Sequence, residues 1–111
     1  MAYDEDLAAR IRALIGAEPN LSEMRMFGGL AFLVGGNMAV AASGQGGLMV
    51  RVDPADTDDL LALPHAREFE MRGRPMAGWL RVDDDGVRTD EELAPWVERG
   101  LAYARTLPPK R

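Results

Sequence analysis

The side chains able to do chemistry are few. His65 is the only histidine, so any triad or dyad built on imidazole would have to use it. It follows Pro64 where a short helix should end, with Arg67 near and no evident acid or nucleophile to work with. The two serines, Ser22 and Ser43, fall in loop-like sequence, outside any Gly-x-Ser-x-Gly setting. Asp83-Asp84-Asp85-Gly86 begins like a calcium loop but lacks the alternating acidic spacing and the glutamate at position twelve, so it reads as a solvated turn. Gly28, Gly29, Gly35, Gly36, Gly44, Gly46 and Gly47 invite comparison with phosphate-binding loops. No Gly-Lys-Ser/Thr follows, and the glycines separate strands rather than joining a strand to a helix. Turn and bulge chemistry explains them. The sequence points to no catalytic residue, metal site or cofactor, and the expectation is a non-enzymatic protein.

Arginines give the one constellation suited to binding. Arg67, Arg72 and Arg74 gather around the Pro75 turn, and Arg25 and Arg51 lie in apolar strands. Guanidinium groups so grouped suit an anion or an acidic partner, although Glu68 and Glu70 lie beside them. Met24, Met26, Met38, Met49, Met71 and Met76 fall in strands or at their edges, where methionines fill cores or line adaptable binding surfaces.

These residues need a scaffold, and the stretch from Met24 to Val52 supplies its centre. Apolar runs separated by Gly28-Gly29, Gly35-Gly36-Asn37 and Ser43–Gly47 read as a three-stranded antiparallel meander. Gly28-Gly29 is expected to break or bulge a first strand running from Met24 to Val34. The small residues of the return strand, Met38 to Ala42, predict close packing by a helix. Two further strands are expected over Arg67–Met71 and Met76–Val82, with Trp79 as an anchor.

Helices are signposted on both sides of these strands. Leu7, Ile11, Leu14 and Ile15 make one face of a helix from Asp4 to Ile15, with acids in its first turn and Gly16 as its stop. A short helix through Leu63 follows Asp56 or Thr57. Thr89 and Glu92 form a capping box ahead of Leu93, Trp96, Val97, Leu101 and Ala104, which supply a buried stripe. The predicted order is α-β-β-β-α-β-β-α, an α+β fold with a five-stranded antiparallel sheet packed against helices.

The chain of 111 residues reads as a single domain, 1–111. Its net charge of −5 argues against direct nucleic-acid binding as its main role. No apolar run spans a membrane, the acidic start is unlike a signal peptide, and the absence of cysteine fits a cytoplasmic protein.

Met26-Phe27-Gly28-Gly29, Gly36-Asn37-Met38, Leu48-Met49-Val50-Arg51-Val52, Gly73-Arg74-Pro75-Met76 with Gly78-Trp79, and Trp96-Val97 occur together in this order. As a set they resemble the N-terminal domain of the TfoX/Sxy competence-regulator family, from about Asp4 to Pro108. The resemblance implies an α+β fold with a secretion-chaperone-like sheet. It implies a role in transcription regulation through a protein partner, and it supplies no catalytic residues. Full-length members carry a second, C-terminal domain, and the expectation here is a stand-alone N-terminal domain lacking it. The expected interaction or anion-binding surface combines Phe27, Gly28, Gly29, Arg51, Arg67, Arg72 and Arg74. A ligand site between sheet and helices near Arg67, Arg74 and Trp79 is the alternative. Homodimerisation through a free sheet edge is a further expectation.

Overall fold

The structure, a computed structural model, describes residues 3–26, 28–71 and 73–109. Helix α1 (Glu5–Ile15) leads into strands β1 (Leu21–Met26), β2 (Gly29–Val34), β3 (Asn37–Ala42) and β4 (Leu48–Arg51). A 3-10 turn at Pro54–Asp56 precedes the short α2 (Thr57–Leu61). Strands β5 (Ala66–Met71) and β6 (Arg74–Val82) form a hairpin. A second 3-10 turn at Asp84–Gly86 leads into α3 (Asp90–Thr106).

The α+β class holds, but the sheet has six strands rather than five, in the order β1-β2-β3-β4-β6-β5, with every neighbouring pair antiparallel. The expected single strand from Met24 to Val34 is a hairpin. Gly28 has φ 75°, which reverses the chain where a bulge was expected. Leu21–Glu23, which by sequence lead into a strand starting at Met24, already belong to the edge strand β1.

Local signals set the helices. Asp4 caps α1, its side chain accepting from the N–H groups of Asp6 and Leu7 at 3.0 and 3.1 Å. Both halves of the Thr89–Glu92 capping box are present in α3. Thr57 does not cap α2. Its hydroxyl instead accepts from the Gly78 N–H at 2.9 Å, tying α2 to β6.

The main core lies between the sheet and the helices. Leu7, Ile11 and Ile15 of α1 meet Phe32, Val40, Val50, Leu80 and Val82 of the sheet and Leu93, Trp96, Val97, Leu101 and Ala104 of α3. Close helix packing over β3, expected from its small side chains, is observed. The β2–β3 register shifts so that Phe32 faces Val40 and Leu33 faces Met38, leaving Ala39 as an extra residue. Ala39 and Val40 therefore both join the helix-side core, and Gly100 of α3 sits directly over them.

Two ion pairs pin the helices further. Arg12 of α1 donates to both oxygens of Glu23 at 2.7 and 2.8 Å. Arg105 of α3 donates to both oxygens of Glu18 at 2.6 and 3.2 Å. Each arginine holds its carboxyl below the ordinary carboxylate range, chiefly through these hydrogen bonds.

Candidate functional site

A second apolar cluster lies on the other side of the sheet. Ala31, Leu33, Met38, Ala41 and Met49 form it, with Met26, Phe69 and Trp79 half-buried against it. Among the described residues no helix contributes to this cluster. Trp79, expected as a core anchor, belongs here; its ring centroid is 6.3 Å from that of Phe69.

The cluster stays buried without a covering layer because the sheet curls. Strands β2 and β5 are four places apart, about 19 Å in a flat sheet. Yet residues from both line one cavity of about 490 Å³. Met26 and Gly29 bound it on one side, Glu68, Phe69 and Glu70 on the other, with Ala41 and Met49 between them.

Glycine permits the closure at the β1–β2 end. A Cβ on Gly29 would stand 2.2 Å from the Ala42 carbonyl oxygen, and one on Gly44 would stand 2.4 Å from the Gly28 oxygen. The β1–β2 turn therefore lies backbone against backbone on the β3–β4 connection.

That connection, flexible by its sequence, is held by hydrogen bonds. Ser43 N–H donates to the Gly47 carbonyl, Gly46 N–H to the Ser43 carbonyl and Gly47 N–H to Asp84 Oδ1, at 3.0, 3.1 and 2.9 Å. Arg81 completes the wall, donating from Nη1 to Gln45 Oε1 at 2.7 Å and from Nη2 to the Gly46 carbonyl at 3.3 Å. Glu68 and Glu70, on the adjacent strand β5, make no ion pair among the described residues. The cavity thus pairs a soft apolar floor with an anchored guanidinium from β6 and two acidic residues of the adjacent β5. It can take an apolar group that carries polar or cationic atoms.

The residues expected from sequence divide unevenly around it. Gly29 lines the cavity and Gly28 turns the chain beside it. Phe27 and Arg72 lie outside the described residues. Arg51 is engaged elsewhere, its guanidinium 5.0 Å from the Trp79 ring and 5.6 Å from the Tyr103 ring. Arg67 is opposite Arg81 in the β5–β6 ladder, whereas Arg74 is opposite Met71 at the hairpin tip. The hairpin therefore separates Arg67 from Arg74 by most of its length, and no joint anion site forms from them. Arg67 also donates to both oxygens of Asp83 at 2.8 and 2.9 Å. The ligand site expected between sheet and helices near Arg67, Arg74 and Trp79 is not there, since Trp79 packs on the helix-free side.

Sequence reading missed Gln45, Phe69, Glu70 and Arg81, which the curl brings together from separate turns and strands. The methionines in alternating strand positions were the available signal, since Met26 and Met49 share this face. Another hollow, of about 450 Å³, lies between α2 and α3, and none of the five described residues among those expected lines it. His65 sits at φ 68° with its carbonyl accepting from the Asp83 N–H at 3.0 Å, a structural place at a turn. Among the described residues, no three His, Asp or Glu side chains are grouped to hold a metal ion. No described helix is long and apolar enough to cross a membrane.

An antiparallel sheet with helices on one face and a recessed apolar cluster on the other defines a small α+β domain with one uncovered sheet face. The chain belongs to the TfoX N-terminal domain family, whose profile matches residues 13–104. No curated protein matches the chain significantly in sequence.

Proposed function

We propose that this chain is a non-enzymatic, cytoplasmic protein-interaction domain that acts in transcription regulation and docks a protein partner on the helix-free face of its sheet. The observation that carries this reading is the apolar cluster on that face, open to a cavity of about 490 Å³ with charged residues on its β5–β6 side. Methionine-rich surfaces adapt to a partner's side chains, and recessed aromatic residues are the usual anchors of binding energy. A partner would set an apolar side chain over Ala41 and Met49 and place a donor between Glu68 and Glu70. Membership of the TfoX N-terminal domain family supports a competence-regulator-like role, and the net charge of −5 favours a protein over a nucleic-acid partner.

The test is capture from a host extract treated with nuclease, using the tagged wild type, Glu70→Arg, and Arg88→Ala as a control away from the cavity. A transcription regulator should be retained by the wild type and by Arg88→Ala and lost with Glu70→Arg. Equal retention by all three, or loss of the partner on nuclease treatment, would count against this assignment.

The same cavity supports a second reading, as a small-ligand sensor. Its volume falls within the roughly 300–1,000 Å³ range of ligand sites, and Arg81, Gln45, Glu68 and Glu70 offer polar recognition. A ligand selective for the folded state raises the melting temperature. A panel of nucleotides and metabolites that produced no shift would discount this reading.

A further inference from the structure

The sheet has two outer edges, β1 and β5, and they differ. Charged side chains and bulges protect an edge from pairing. β5 has both. It carries Arg67, Glu68 and Glu70, and its register against β6 shifts between Glu68 and Glu70. β1 is regular. Its six residues pair with β2 without a shift, from Leu21 opposite Val34 to Met26 opposite Gly29. It contains no proline, and Met24, at 53% exposure, is a large apolar side chain left in solvent.

We propose that β1 is a homodimerisation edge, on which β1 of a second copy of this chain pairs antiparallel about a two-fold axis at Met24. The surface meets the cavity only at Met26, and the inference does not rest on what docks there.

The register follows from the ladder. The Asn20 carbonyl accepts from the Gly35 N–H at 3.0 Å. Bonding direction alternates along an antiparallel strand, so Ser22, Met24 and Met26 bond toward β2. Leu21, Glu23 and Arg25 then direct their N–H and C=O groups outward. A two-fold pairing must set these odd-numbered residues against one another.

Charge selects among the registers that remain. One centred on Glu23 sets two glutamates face to face, and one centred on Arg25 sets two arginines face to face; like charges directly opposite are destabilising. The register centred on Met24 instead sets Glu23 against the partner's Arg25, and Arg25 against the partner's Glu23. Glu23 and Arg25 are two residues apart and so share a sheet face. Arg25 makes no ion pair among the described residues, leaving it available. Registers centred further toward Leu21 bring Pro19, which has no N–H, into the ladder.

In the chosen register the Met24 pair is a non-hydrogen-bonded one, with Cα atoms about 4.5 Å apart. The two thioethers then cover each other. Met24 shares its face with Met26, which packs on the helix-free cluster. Pairing would join the two helix-free faces in one continuous sheet of double width.

The chain has no cysteine, so single cysteines report the register cleanly. Light scattering should give a dimeric mass for the wild type at high protein concentration. Mild oxidation should convert Met24→Cys to a covalent dimer, because its Cβ atoms fall in disulfide range. Ser22→Cys should stay uncrosslinked, because four residues, about 13 Å of strand, would separate the two copies. Arg25→Glu should weaken dimerisation by roughly tenfold, as two attractive cross-strand pairs become repulsive. A wild type monomeric at every soluble concentration, or Ser22→Cys crosslinking as readily as Met24→Cys, would overturn the proposal.

Discussion

Gly100→Ala should destabilise the domain, although alanine is the better helix former. Gly100 lies within α3 over the β3 bulge. A Cβ there would stand 2.4 Å from the Ala39 carbonyl oxygen, 2.8 Å from Val40 Cγ1 and 3.0 Å from the Ala39 carbonyl carbon. Ordinary contact begins near 3.4 Å, so the shortfall is about 1 Å. The main obstacle is backbone in the middle of a sheet, which cannot rotate away as a side chain can. Helix propensity alone would favour alanine by about 1 kcal/mol. Overpacking costs about 1–3 kcal/mol, and a backbone obstacle puts this site at the upper end. The net is a loss of about 2 kcal/mol, or a fall in Tm of roughly 8 °C for a chain of this length. Thermal and urea unfolding followed by circular dichroism read both quantities. Ala102→Gly, at an exposed position of the same helix, should cost about 1 kcal/mol from propensity alone. A Gly100→Ala protein as stable as the wild type, or more so, would refute the close approach of α3 to β3.

Other perturbations test the remaining contacts. Gly44→Ala should cost more than Gly73→Ala, by thermal unfolding. A Cβ at Gly44 meets the Gly28 backbone, whereas Gly73 has open space around it and pays only the cost of φ 78°, about 1–2 kcal/mol. Thr89→Ala should lose about 1 kcal/mol with its capping bonds to Glu92. Glu18 and Glu23 have lowered folded-state pKa values, so their contribution is fully present above the ordinary value of 4.5 and is lost as pH falls through the lowered values. Glu18→Gln should cost about 1 kcal/mol at pH 7, since its Arg105 partner is partly exposed, and stability should then fall less steeply below pH 4.5.

Elements with a strong local signal were legible in the sequence. The acidic start and apolar face of α1 and the Thr89–Glu92 box each depend on residues within one or two turns, and the structure reproduces them, with Asp4 as the cap of α1 and not its first residue. The β1–β2 hairpin was not legible. Glycine at Gly28 and Gly29 permits either a bulge or a reversal, and the flanking pattern had to decide. β1 is an edge strand with four consecutive exposed residues, Ser22 to Arg25, so it lacks the alternation that marks a half-buried strand. The spacing of Arg67 and Arg74 was not legible for a related reason. Closeness in sequence around Pro75 becomes distance along a hairpin, placing Arg67 and Arg74 toward opposite ends. The cavity depends on curl, a property of the whole sheet, and no local pattern links Gln45 to Glu70.

Hydrogen exchange of the captured complex addresses the docking face most directly. Binding there should slow exchange in β5, in residues 43–47 and at the end of β1, where the cavity is lined. Protection confined to the outer surfaces of α1 and α3, with the cavity strands unchanged, would contradict docking on the helix-free face.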